Sequence, residues 1–169
     1  MAKAASASST PSALRLLPSY MLFLTTLLSL IPLPIPFFSH VSPAFSVMAI
    51  IYFTLWQPRY TPFLVIFGCG LFFDAFQSSL FGTHALLFIL LRLAVAYVRN
   101  TIGFTQHIGR AWCFAALILS AYFIIEWLML SAQFVSFGFP AALLQRDMLS
   151  ITLYPLIHIS FSALIAKMQ

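Results

Sequence analysis

Residues 114–130 read FAALILSAYFIIEWLML, seventeen positions with a single charge, Glu126. A helix that is apolar all round is either buried in a large protein or spans a membrane. The remainder of the chain decides between the two. Similar runs recur as FLTTLLSLI and FILLRLAVAYV, and only 7% of the 169 residues are charged. An ordinary soluble domain carries about a quarter charged residues. So little charge cannot cover a surface in water, so the expected solvent is the lipid bilayer. Strands of a membrane barrel alternate apolar and polar residues with period two. These runs do not alternate, and the fold class expected is all-α, a polytopic membrane bundle.

A spanning helix needs about 20 apolar residues. The runs and the prolines that bound them place six spans, at approximately 14–31, 43–57, 61–78, 82–98, 111–135 and 147–167. Pro43 and Pro62 stand near helix starts, where a missing N–H costs little, and Pro32 and Pro58 follow helix ends. Residues 1–13 are small and polar and read as a short disordered tail ahead of a single membrane domain, 14–168. The first apolar run has a basic flank at Arg15, but Pro32-Leu33-Pro34-Ile35-Pro36 follows it instead of a small-residue cleavage site. It reads as a retained first span.

Lysine and arginine in short loops set orientation. With the N-terminus inside, Lys3, Arg15, Arg59, Arg99, Arg110 and Lys167 lie inside and Arg146 alone lies outside. Both termini are then cytoplasmic. The net charge of +5 comes from eight scattered residues with no basic patch, which argues against a nucleic-acid partner. Cys69 and Cys113 lack the spacing of a disulfide framework or a metal site. No hydrolase, metalloprotease or nucleotide-binding motif is present, so neither an enzyme nor a cofactor is expected.

The polar residues inside the spans carry the remaining information. A charge at mid-membrane costs at least about 2.5–3.5 kcal/mol and therefore faces a partner or the bundle interior. Gly70, Asp74, Gln77 and Ser78 share one face of the third span. Arg92 shares a face of the fourth with His84 and Phe88, and leans toward its own helix start, the depth of Asp74. Glu126 lies at a similar depth on the fifth. A buried cluster of Asp74, Arg92 and Glu126 is expected. It would either fix helix packing or form part of a proton or ion path. His84 and His158 lack metal-ligand spacing and read as core or interfacial residues. Gly68 and Gly70 would allow close helix approach, and Gly82 the tight turn into the fourth span.

Residues 43–98 have a more specific pattern. Pro43 opens a span that runs through Tyr52 and Leu55 to Pro58. GCGLFFDAF follows, with Gly70 and Asp74 spaced G-x-x-x-D, and then LFGTHALLF, with Gly82, Ala85 and Leu86. This stretch resembles the MreD family of bacterial rod-shape-determining membrane proteins. The resemblance implies a non-enzymatic scaffold of the cell-elongation complex in the inner membrane. Its partners would be the membrane helix of MreC and, with it, MreB filaments, the glycosyltransferase RodA and the penicillin-binding transpeptidase of wall synthesis. It also implies a bundle similar to the substrate-binding subunits of energy-coupling-factor transporters. That likeness keeps a small-molecule binding or transport subunit as the alternative. Such a subunit needs an outward polar cavity, and the external loops are poor in polar groups.

Overall fold

The computed structural model describes residues 12–31, 43–77, 81–102, 108–134 and 141–168. They form six α-helices: α1 (Ser12–Leu30), α2 (Phe45–Trp56), α3 (Phe63–Gln77), α4 (Thr83–Ile102), α5 (Ile108–Phe134) and α6 (Ala141–Met168). A short 3-10 turn, Pro58–Tyr60, links α2 to α3. The chain is all-helical, and α4, α5 and α6 are each long and apolar enough to cross a membrane. The apolar parts of α1, α2 and α3 are shorter, at Leu17–Leu30, Phe45–Trp56 and Phe63–Gln77.

The short helices have a packing reason. From Ser46 to Leu55 every residue of α2 is buried. This helix is the axis of the bundle, packed against α1, α4, α5 and α6. Its side chains are solvated by protein on all sides, so its length answers to its neighbours and not to the bilayer. The outward faces carry large apolar residues instead, such as Leu64 on α3, Tyr97 on α4, Leu117 on α5 and Leu156 on α6. Tyr52 is buried in the core, edge-on to Phe53 and to His158 of α6. Pro58 begins the 3-10 turn, and Pro43 is buried just ahead of α2.

A helix start leaves backbone N–H groups without partners. At the start of α2 two serines from other helices supply them. Ser150 Oγ of α6 accepts from Ala44 N at 3.1 Å, and Ser29 Oγ of α1 accepts from Ser46 N at 2.9 Å. Buried in apolar surroundings, each unmet donor would cost about 1–3 kcal/mol.

The helices fall on the apolar runs, but one end differs clearly. The charged pair Arg146-Asp147 suggests a start at 147, whereas α6 begins at Ala141. Both charges find partners within the bundle, so they sit inside the helix at little cost: Arg146 meets Glu126 and Asp147 meets Ser120. Pro155 is accommodated within α6, which continues through it. Ser78, Pro32, Pro34 and Pro36 lie outside the described residues, as do residues 1–11.

Candidate functional site

The start of α4 is held against α3 by three residues of the G-x-x-x-D and G-x-x-A-L segments, Gly70, Asp74 and Gly82. Gly82, the residue before α4, has φ +99°, a conformation that side chains with a Cβ rarely adopt. It supplies no side chain to cap the helix. Asp74, one turn from the end of α3, does so from the neighbouring helix. Its Oδ2 accepts from Gly82 N at 3.0 Å and from Ala85 N at 3.3 Å, and its Oδ1 accepts from His84 N at 2.9 Å. A carboxylate at a helix N-terminus also meets the positive end of the helix dipole. This works only if the two backbones are close. A Cβ on Gly70 would stand 2.4 Å from Ala85 Cα, so α4 rests directly on the glycine one turn before Asp74. Gly68, by contrast, faces open space, and a Cβ there would meet nothing within 4 Å. The close approach expected of Gly68 is not made among the described residues.

The second partner of Asp74 is a side chain. His84 Nδ1 lies 2.7 Å from Asp74 Oδ1, within hydrogen-bonding distance. The imidazole is walled by Phe73, with ring centroids 4.8 Å apart, and by Phe88. Its Nε2 lies 3.5 Å from Glu126 Oε1, and the same oxygen accepts from Arg146 Nη1 at 3.3 Å. Asp74, His84, Glu126 and Arg146 thus form one chain through α3, α4, α5 and α6. The first three are almost fully buried.

Arg92 does not join it. Its guanidinium donates to the Thr61 carbonyl ahead of α3 and lies 4.1 Å from the Phe63 ring centroid. The expected Asp74–Arg92 contact is therefore corrected to Asp74–His84. Seen from α4, Asp74 lies toward the helix start, where the direction of a helical side chain would carry Arg92. The long arginine stem instead runs toward the end of the bundle where α3 begins and reaches the Thr61 carbonyl. His84 and Arg146 are the members that sequence reasoning does not place. Their signal is positional: His84 stands in the first turn of α4, beside the end of α3, and Glu126 and Arg146 flank the connection from α5 to α6.

All four groups lie at the end of the bundle where α4 and α6 begin. Between His84 and Arg92 the buried side chains of α4 are Ala85, Leu87, Phe88 and Leu91, all apolar. No polar step on α4 carries the chain of contacts onward to Arg92. The arrangement can bind four helices together; it has no continuation that would move a proton across the bundle along α4.

A model of the family described as rod shape-determining protein MreD matches residues 12–163. The chain belongs to the MreD family. Searches among curated proteins and solved structures return no match. MreD membership gives the chain a role in rod-shape determination and agrees with a membrane protein that has three candidate spanning helices. MreD is a shape-determining structural family and not one known for catalysis.

Proposed function

We propose that the chain is a non-enzymatic scaffold of the bacterial cell-elongation complex. It sits in the cytoplasmic membrane with all six helices inserted and both termini cytoplasmic. It binds the membrane helix of MreC and through it links MreB filaments to peptidoglycan synthesis by RodA and its penicillin-binding transpeptidase. Family membership supports the setting. The observation that carries the docking role is a groove of about 390 Å³ between α4 and α5. Leu90, Leu91, Ala94 and Val98 line it from α4, and Leu117 and Ala121 from α5. Ala94 and Ala121 are both exposed. Small residues on a lipid-facing surface let another helix approach closely, and in a bilayer such close packing drives helix association.

The test fills the groove. Ala94→Trp and Ala121→Trp are expected to abolish co-purification with MreC in detergent and to leave cells round when the chromosomal copy is depleted. Leu64→Trp, on the outward face of α3, is expected to do neither. Groove-filled variants that retain MreC and restore rods would overturn the docking face. Normal shape on depletion, with uptake of a vitamin lost instead, would sink the scaffold reading itself.

A further inference from the structure

At the end of the bundle opposite the Asp74 chain, a cavity of about 280 Å³ opens among Trp56, Gln57, Pro58, Arg59 and Arg99. These residues come from the end of α2, the 3-10 turn and the last turn of α4. Two arginines therefore line one small cavity from separate elements. We propose that this cavity binds the phosphate headgroup of an anionic membrane lipid.

The charge balance of the chain is the first argument. It has only three acidic side chains. All three are engaged at the far end: Asp74 with the start of α4 and His84, Glu126 with Arg146, and Asp147 with Ser120 at 3.1 Å. No carboxylate side chain of this protein is left to neutralise Arg59 and Arg99, so the complementary charge has to come from outside. Arg92, one step deeper, is taken by the Thr61 carbonyl and the Phe63 ring and is not part of the site.

Shape and position are the second argument. The guanidinium fork matches the oxygens of a phosphate, each arginine donating two parallel hydrogen bonds that those oxygens accept. The cavity is at the small end for a ligand pocket, which suits a headgroup more than a larger solute. It lies at helix ends with the Trp56 indole beside it, as expected at headgroup depth. The helices that meet at this end also carry exposed apolar side chains, Phe63 and Leu64 at the start of α3 and Leu93 and Tyr97 in the second half of α4. A soluble anion would have no use for that surface, whereas acyl chains can lie along it. This site does not depend on the α4–α5 groove.

The test uses the full chain in detergent, titrated with phosphatidylglycerol or phosphatidylcholine and read by native mass spectrometry and thermal unfolding. Phosphatidylglycerol is expected to bind and to raise the unfolding temperature, and phosphatidylcholine to do so far less. A basic residue near an anionic surface contributes about fivefold in affinity, so Arg59→Gln and Arg99→Gln together should cost roughly thirtyfold. Arg59→Lys with Arg99→Lys keeps the charge but loses the fork, and a loss of several-fold is expected; this pair also serves if the neutral variant does not fold. Equal binding of the two lipids, or phosphatidylglycerol affinity unchanged in both double variants, would overturn the site. Millimolar inorganic phosphate should neither stabilise the protein nor displace the lipid; stabilisation by phosphate alone with the same arginine dependence would overturn the lipid as its source.

Discussion

Gly70 and Asp74 act as one device at the scale of single residues. The glycine sets the distance between α3 and α4, and the carboxylate uses that distance to cap α4 from outside. A methyl group on Gly70 would meet backbone at 2.4 Å, and backbone cannot turn aside as a side chain can. Gly70→Ala is therefore expected to destabilise by about 1–3 kcal/mol, the usual range for overpacking. Gly68→Ala meets nothing and should be neutral or stabilising by up to about 1 kcal/mol, through helix propensity alone. Thermal unfolding in one detergent, side by side, checks the contrast; equal losses for the two would remove the account of Gly70. Asp74 and Glu126 are legible in the sequence, because an acid within an apolar run must find a partner. Which partner it finds is not, because Arg92 and His84 occupy the same face of α4. The choice depends on how close α3 and α4 approach, and only the folded backbone sets that.

Among the elements, α2 is the one whose environment differs most from what hydropathy implies. Its run reads like any other span, but from Ser46 to Leu55 it is enclosed by protein. A membrane segment touching lipid needs no side-chain cap at its ends if water or headgroups reach them. A buried start has no such recourse, and Ser29 and Ser150 provide the caps from α1 and α6. Replacing either serine by alanine is expected to cost about 1 kcal/mol, and both together about twice that, since the serines act from separate helices. Denaturation of the three variants in mild detergent measures it, and a double variant no worse than either single one would show that the two bonds do not cap α2 independently. The positions of all six helices follow from apolar runs and prolines. The start of α6 does not, since a charged pair reads as a loop until its partners Glu126 and Ser120 are known. Nor does the central place of α2, since an enclosed helix and a lipid-facing one have the same composition in a membrane.

For the whole molecule, polar chemistry is divided between two ends. At one end the starts of α2, α4 and α6 and the ends of α1 and α3 are laced by side-chain hydrogen bonds, and Glu126 brings in α5. At the other, Arg59 and Arg99 border an open cavity. The closed end holds the hairpin α3–α4 to the hairpin α5–α6 through Glu126, which meets His84 of one and Arg146 of the other. Removing Arg146 and removing Glu126 therefore have different consequences. Arg146→Gln leaves a carboxylate whose side chain is only 3% exposed, with His84 alone to satisfy it. A buried charge left short of partners costs about 2–3 kcal/mol. Glu126→Gln keeps a carbonyl oxygen for both neighbours, and Arg146, 14% exposed at the side chain, can shift toward the membrane surface. Its cost should be the smaller of the two. In the double variant no unmatched charge remains, so its loss should fall below the sum of the singles by about 1 kcal/mol. A double-mutant cycle read by thermal unfolding in detergent measures this coupling directly. Strict additivity would mean that Glu126 and Arg146 do not bind the two hairpins together, and the closed end would then owe its order to the Asp74 cap and the apolar core.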